Sequence, residues 1–180
     1  MKMPHSNLAL RFAAIAFCGL YFSMAHADEL RGRIVSIADG DTLTLLDSLN
    51  AQHKIRIAGI DAPEKAQPFG EKSKQNMARL TFQKNAVADC PKRDRYGRKV
   101  CTVTVDGVDV GFAQLEAGLA WWYRKYAHEQ LPQQRQDYEG AEVKASVNEI
   151  GLWQEKGAIT PWDWRLKVKQ SSPYARSGFY

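Results

Sequence analysis

Residues 56–64 read Arg-Ile-Ala-Gly-Ile-Asp-Ala-Pro-Glu. This stretch brings together a positively charged side chain, two carboxylates and a proline that ends a strand. Isoleucines on either side of Arg56 give the period-two pattern of a strand with one buried face. Pro63 cannot donate to a strand ladder, so it ends the extended segment, and Asp61 and Glu64 flank that break. The stretch therefore predicts a strand that delivers a guanidinium and two carboxylates to one rigid turn.

A second acidic turn, Asp-Gly-Asp-Thr at residues 39–42, precedes this strand. If Asp41, Asp61 and Glu64 converge, each like-charged pair at about 4 Å costs roughly 4 kcal/mol at an effective dielectric of about 20. A positive group must then lie among them, and an oxygen-only ligand set favours calcium or magnesium over zinc. The two histidines beyond residue 27 have no partner at metal-ligand spacing, which agrees with this choice. Taken alone, the turn also fits the ordinary chemistry of a hairpin.

A basic segment at residues 92–99 reads Lys-Arg-Asp-Arg-Tyr-Gly-Arg-Lys. Such a run fits a solvated hairpin loop, and it also fits a surface that faces phosphate groups. Composition leaves both interpretations open.

The three motifs together resemble the staphylococcal nuclease (thermonuclease) family. The resemblance rests on residues 39–42, on Arg56 with residues 61–64, and on Asp-Arg-Tyr-Gly-Arg at residues 94–98, in that order and spacing. It implies an α+β protein with a small five-stranded OB-fold β-barrel and about three α-helices. It also implies a calcium-dependent endonuclease that hydrolyses phosphodiester bonds of DNA and RNA and leaves 3′-phosphate ends.

The same resemblance implies how a metal ion would be held. Asp41 and Asp61 would ligate Ca²⁺, and the backbone carbonyl of Ala62 would be a further ligand. Asp39 would support the site without touching the ion.

The remaining matched side chains would act on the substrate. Glu64 would be the general base that takes a proton from water, and Arg56 and Arg98 would hold the phosphate oxygens. Four further residues are expected to contact the nucleic acid: Arg95, Tyr96, Tyr123 and Tyr126. The alternative is a non-catalytic OB-fold module that only binds nucleic acid, although such a module has no need of an acidic cluster facing a polyanion.

Two cysteines beyond residue 27, Cys90 and Cys101, bracket a turn between two strand-like runs. A hairpin would place them within disulfide reach, and export would put them in an oxidising compartment. Two buried free thiols are the alternative.

Length and composition indicate one globular domain. The chain has 180 residues, 44% hydrophobic and 25% charged. Residues 1–27 have the basic start, apolar centre and Ala-His-Ala end of a secretory signal, with an uncleaved anchor as the alternative. We expect the nuclease-like domain at residues 28–165 and a mobile tail at residues 166–180.

Cleavage of the leader would leave 23 basic and 20 acidic residues, a net charge of +3. The expected mature protein is exported, periplasmic or extracellular, and monomeric, without stable membrane association. Its partners would be DNA and RNA substrates.

Periodicity and turn residues predict the order of elements. Strands are expected at residues 33–38, 42–46, 53–60, 85–90 and 98–105, and helices at residues 71–82, 110–117 and 132–148.

Overall fold

Five strands of the computed structural model, which describes residues 28–171, close into a barrel. The strands of this part of the chain are β1 (Asp28–Ile37), β2 (Thr42–Asp47), β3 (Gln52–Ile57), β4 (Ile60–Asp61), β5 (Asn85–Arg93), β6 (Lys99–Val105), β7 (Val108–Asp109) and β8 (Trp121–Trp122). Antiparallel pairing runs in the order β3, β2, β1, β5, β6, and a parallel β3–β6 pairing closes the barrel. The predicted five-stranded OB-fold barrel is therefore confirmed.

Alternating apolar residues point into the barrel and form its core. The fully buried side chains include Ile34, Leu43, Leu45, Ile55, Ile57 and Val103. The predicted third strand, residues 53–60, ends earlier than expected because Gly59 has a φ of 71°. The left-handed backbone conformation of Gly59 turns the chain, so that Ile60 and Asp61 form the separate strand β4.

The described α-helices are α1 (Gly70–Thr81), α2 (Val110–Glu116), α3 (Pro132–Val147) and α4 (Pro161–Ser171). The first three lie close to the predicted positions. None of the helices within residues 28–171 is long and apolar enough to cross a bilayer.

Helix α4 runs across the predicted domain boundary at residue 165, so residues 166–171 of the predicted tail are helical. The helix begins with a reciprocal cap, in which Thr160 Oγ1 lies 2.6 Å from Asp163 Oδ2 and accepts from the Asp163 N–H at 3.3 Å. Pro161 follows at the first helical position, where its missing N–H costs nothing. The predicted signal at residues 1–27 and the last residues of the tail, 172–180, lie outside the described part of the chain.

The two cysteines meet where strands β5 and β6 shift register. Cys90 and Cys101 are joined by a disulfide with a Cα–Cα distance of 4.1 Å. The register changes between Asp89 and Lys92, so the bridge lies at the base of the loop that carries the basic segment. The structure thus joins the two thiols rather than leaving them free.

Candidate active site

One open cleft of about 510 Å³ collects the side chains that the sequence singled out. Its lining includes Asp39, Asp41, Arg56, Asp61, Ala62, Glu64, Arg95, Tyr96, Arg98, Tyr123 and Tyr126. These residues come from four separate parts of the chain, and the barrel brings them to one place.

The innermost part of the cleft is an ion cluster that we call the carboxylate wall, formed by Asp41, Arg56 and Asp61. Arg56 Nη2 donates to Asp61 Oδ1 at 2.8 Å and lies 3.3 Å from Asp41 Oδ2. Arg56 Nη1 also donates to the carbonyl of Ile57 at 3.3 Å. Burial disfavours the charged guanidinium, but the charges of Asp41 and Asp61 outweigh it and raise the pKa of Arg56. The Arg56 guanidinium is therefore held by Asp41, Asp61 and the Ile57 carbonyl rather than projecting freely into the cleft.

The backbone of the two turns fixes the Asp41 carboxylate. Its Oδ2 accepts the Ala62 N–H at 3.1 Å, and its Oδ1 accepts the Thr42 hydroxyl at 2.9 Å. Asp39 Oδ1 in turn accepts the Asp41 N–H at 3.0 Å, which closes the tight turn. One acidic turn is thus hydrogen-bonded directly to the other.

A buried glutamine that sequence reasoning missed supports the first turn. Gln114 Nε2 donates to the carbonyl of Gly40 at 2.7 Å and to that of Ser73 at 3.1 Å. A Cβ at Gly40 would lie 1.9 Å from Ser73 Oγ, so only glycine lets helix α1 approach this turn. The glutamine is one of many polar residues in the sequence, and no local pattern marks it.

Strand pairing fixes the second turn. Asp61 in β4 lies opposite Trp121 in β8, and the Tyr123 N–H donates to the carbonyl of Gly59 at 2.8 Å. Trp122 pairs with Ile60 in the same ladder and is buried, and its backbone N–H donates to Glu142 Oε1 at 2.9 Å. Both residues of β4 are buried, and the Asp61 side chain is only 2% exposed.

The charges of the wall fit a hard divalent cation. Burial and the negative charge of Asp41 raise the pKa of Asp39 to about 6. Burial raises the pKa of Asp61, and the charge of Asp41 adds to it, despite the opposing hydrogen bond from Arg165 and the opposing charges of Arg56 and Arg165. Within the wall, two carboxylates share one guanidinium, and carboxylate oxygens are the donors that Ca²⁺ and Mg²⁺ prefer.

The donor set is small. Residues 28–171 contain no group of three or more His, Cys, Asp or Glu side chains arranged to hold a metal. The predicted set needs only two, Asp41 and Asp61, with the Ala62 carbonyl as the third protein ligand. An ion in this cleft would take its remaining ligands from water or substrate, as Mg²⁺ commonly does.

A second side of the cleft lining is the loop between β5 and β6, which we call the basic rim and which contains Arg95, Tyr96 and Arg98. Arg98 Nε donates to Asp94 Oδ2 at 2.7 Å, and its Nη1 donates to Thr42 Oγ1 at 3.3 Å. Burial would raise the pKa of Asp94, but hydrogen bonds from Arg98 and the loop backbone lower it overall. Arg98 therefore links the rim to the wall through Thr42.

The rest of the rim is open to solvent. Tyr96 is 69% exposed, and its hydroxyl accepts from Arg95 Nη2 at 2.7 Å.

Two further tyrosines line the cleft outside the rim. Tyr123 and Tyr126 form an edge-to-face pair with ring centroids 5.0 Å apart, and the Arg56 guanidinium lies 5.7 Å from the Tyr123 centroid. Aromatic faces next to guanidinium groups are suited to nucleotide stacking and phosphate contact.

A fourth arginine in the cleft, besides Arg56, Arg95 and Arg98, was not predicted. Arg165, on helix α4, donates from Nη2 to Asp61 Oδ2 and from Nη1 to Glu64 Oε1, both at 2.7 Å. The Thr-Pro-Trp-Asp sequence at residues 160–163 is a helix start and would have revealed the helix, but not where its arginine lies. Glu64 therefore pairs with Arg165 in this structure.

Comparison with known proteins places these features in a family. The model of the family described as "Staphylococcal nuclease homologue" matches residues 54–155. An uncharacterized endonuclease of Haemophilus influenzae is 40% identical over 93% of this chain and 87% of its own length. A micrococcal nuclease of Shigella flexneri is 35% identical over 94% of this chain and 99% of its own length, and Protein ParB of Escherichia coli is 34% identical over 91% and 94%. With this coverage, and with the three motifs gathered in one cleft of an OB-fold barrel, the chain belongs to the staphylococcal nuclease family.

Proposed function

We propose that this protein is a calcium-dependent nuclease that hydrolyses phosphodiester bonds in DNA and RNA and leaves 3′-phosphate ends. The observation that carries the proposal is the convergence of Asp41, Asp61 and Glu64 with Arg56 and Arg98 in one open cleft. The names of two relatives, an endonuclease and a micrococcal nuclease, support the nuclease activity. Calcium and the 3′-phosphate product follow from the resemblance of the motifs.

Asp41, Asp61 and the Ala62 carbonyl are the residues that would hold the ion. When bound, a divalent cation supplies positive charge that polarises the phosphate and stabilises its transition state. The wall is prepared for this charge, because the Asp41 carboxylate is already oriented by the Ala62 N–H and the Thr42 hydroxyl. Preorganised carboxylates need little rearrangement at the moment of reaction.

Glu64 is proposed as the general base. Its side chain is 40% exposed at the edge of the cleft, where water can reach it. Its backbone N–H donates to Gln67 Oε1 at 3.1 Å, which fixes the turn after Pro63. A carboxylate within reach of a water molecule and a phosphate can accept the proton that the attacking water loses.

Arg56 and Arg98 are proposed to bind the phosphate oxygens from the two sides of the cleft. Each guanidinium is already paired, Arg56 with Asp61 and Asp41 and Arg98 with Asp94. These pairs fix the planes of the guanidinium groups and leave other N–H groups for the substrate. Arg95, Tyr96, Tyr123 and Tyr126 would contact the nucleotides on either side.

The test is digestion of single-stranded DNA and of RNA by the mature chain, with calcium and with a chelator. We expect degradation only with calcium, and products that polymerase extends only after phosphatase treatment. Equal degradation in chelator would contradict the metal requirement. Binding without degradation in either condition would favour the non-catalytic module.

Glu64→Gln tests the base. We expect the rate to fall by about 10²–10⁴-fold while DNA binding persists, because the amide keeps the shape but cannot accept the proton. Glu139→Gln, on the exposed surface of α3, is the matched control and should cleave normally. Near-normal turnover of Glu64→Gln would remove this residue from the base role.

We also propose that the protein is exported, to the periplasm or outside the cell, and acts as a monomer without stable membrane association. The leader-like residues 1–27 and the disulfide between Cys90 and Cys101 support export. The N-terminal residue of the native protein, measured by mass spectrometry, checks cleavage after Ala27. Sedimentation of the purified mature chain checks the monomer.

A further inference from the structure

Helix α4 places a guanidinium across two acidic side chains of the cleft. Arg165 Nη2 lies 2.7 Å from Asp61 Oδ2, and its Nη1 lies 2.7 Å from Glu64 Oε1 and 3.3 Å from Asp61 Oδ1. The planar fork thus spans both carboxylates. Asp61 and Glu64 lie within the matched family region, residues 54–155, whereas Arg165 lies beyond it.

This contact uses the oxygens that the proposed chemistry needs. Asp61 Oδ1 already accepts from Arg56 at 2.8 Å, so Arg165 occupies the carboxylate's other oxygen. The two Asp61 oxygens already accept three guanidinium contacts, so a cation that binds Asp61 competes with the arginines for the remaining lone pairs. Arg165 Nη1 likewise donates to Glu64 Oε1 at 2.7 Å. The oxygen left to accept a proton from water is therefore Glu64 Oε2.

Of the two arginines, Arg165 is the one that can leave. Arg56 belongs to β3, which is paired on both sides with β2 and β6, and its side chain is 14% exposed, whereas that of Arg165 is 43% exposed. The pair of Arg165 with Glu64 is exposed on both sides, 43% and 40%, so solvent screens it and can hydrate the guanidinium once it leaves the buried Asp61.

The first turn of α4 anchors the helix, and the remainder projects into solvent. Pro161 is buried, the Trp162 ring stacks on Tyr123 with centroids 5.3 Å apart, and Gln67 Nε2 donates to the Ile159 carbonyl at 2.6 Å. After Arg165, the side chains of Leu166 and Val168 are 56% and 53% exposed. Few contacts beyond the first turn therefore oppose a movement of Arg165 away from the cleft.

From these contacts we propose that Arg165 is a resident counter-cation and that α4 is an autoinhibitory element. In the absence of a divalent cation the guanidinium neutralises Asp61 and Glu64, and binding of the cation displaces it. The inference rests on the proposed function, because it assumes that a divalent cation binds the carboxylate wall. The rival role, a third phosphate-binding arginine, is an outcome of the test.

The test measures calcium binding by isothermal titration calorimetry on the mature chain without nucleic acid. We expect Arg165→Gln to bind Ca²⁺ more tightly, on the order of tenfold, because the ion no longer competes with a charge-assisted pair. Lys167→Gln is the matched control, since it removes the same charge from an exposed position of the same helix and should leave the affinity unchanged. An unchanged or weaker affinity of Arg165→Gln would overturn the proposal.

Hydrogen exchange gives a second measurement on the unaltered protein. Amides of residues 165–171, beyond the anchored first turn, should exchange faster when calcium is added, and equal protection in both states would contradict displacement of this part of the helix. At saturating calcium, Arg165→Gln should cleave DNA at least as fast as the wild type. A large loss of rate would instead make Arg165 part of the phosphate-binding machinery.

The outcomes separate this inference from the proposed function. If the wild type and Arg165→Gln bind calcium equally and both cleave DNA, only the autoinhibitory role fails. If neither protein binds calcium, both proposals fail.

Discussion

The two sides of the cleft are built differently. In the carboxylate wall, the Asp61 side chain is 2% and that of Arg56 14% exposed, and hydrogen bonds from the turn backbone orient the neighbouring Asp41. In the basic rim, Tyr96 is 69% exposed, and the loop is held mainly by its own Asp94, which accepts the N–H groups of Tyr96 and Arg98 at 2.9 and 3.0 Å.

This difference matches what each side would have to do. A reacting phosphate must be held to within a fraction of an ångström, which requires groups that are already fixed. A nucleic-acid strand of varying sequence is better bound by mobile cations and aromatic faces. We expect substitutions in the wall and at Arg98, which Asp94 holds in place, to change catalysis or stability sharply, and substitutions at Arg95 and Tyr96 to change affinity gradually.

The largest effect is expected from Arg56→Lys compared with Arg95→Lys. Lysine keeps the charge but cannot bridge Asp61, Asp41 and the Ile57 carbonyl as the guanidinium does. We expect the rate constant kcat for single-stranded DNA to fall by about 10²–10³-fold for Arg56→Lys and to change only slightly for Arg95→Lys. Equal losses at the two positions would erase the distinction between wall and rim.

Removal of the disulfide tests how much the bridge below the basic rim contributes to the stability of the protein. Cys90→Ser combined with Cys101→Ser should lower the free energy of unfolding by about 3 kcal/mol, because the closed loop no longer restricts the unfolded chain. Urea denaturation measures the change. Dithiothreitol should destabilise the wild type similarly and leave the double variant unaffected, and a wild type insensitive to the reductant would contradict the bridge.

Gln114→Leu tests the buried support of the wall. The Gly40 carbonyl would lose its donor, and the expected cost is about 1–3 kcal/mol in the free energy of unfolding. The control, Gln75→Leu, changes an exposed amide on α1 and should alter stability by less than about 0.5 kcal/mol. If the two variants were equally stable, the turn would not depend on this hydrogen bond.

The smallest effect is expected from Arg95→Gln. The variant should bind single-stranded DNA a few-fold more weakly, and the slope of log K against log salt should fall by about 0.7, as for one lost phosphate contact. Fluorescence anisotropy at several salt concentrations, with Glu64→Gln as the background to prevent cleavage, measures the slope. An unchanged slope would mean that Arg95 does not contact the phosphates of the bound single-stranded DNA.

Much of the fold follows from local patterns. Alternating apolar residues such as Ile55 and Ile57 predict the strands, and the acidic turn at residues 39–42 predicts the β1–β2 hairpin. The closed OB-fold barrel came from the family resemblance, because periodicity does not say which strands pair. The structure shows that a parallel β3–β6 pairing closes it.

The candidate site divides in the same way. The sequence by itself determined which groups are available, since each motif carries its own turn and charge: Asp41 in one, Asp61 and Glu64 in another, Arg98 in a third. Tertiary structure alone decided that Gln114 supports Gly40 and that Arg165 pairs with Glu64, 101 positions away in the chain. Hydrogen bonds between such distant residues leave no local pattern, because their partners are chosen by how the helices pack on the barrel rather than by their neighbours in sequence.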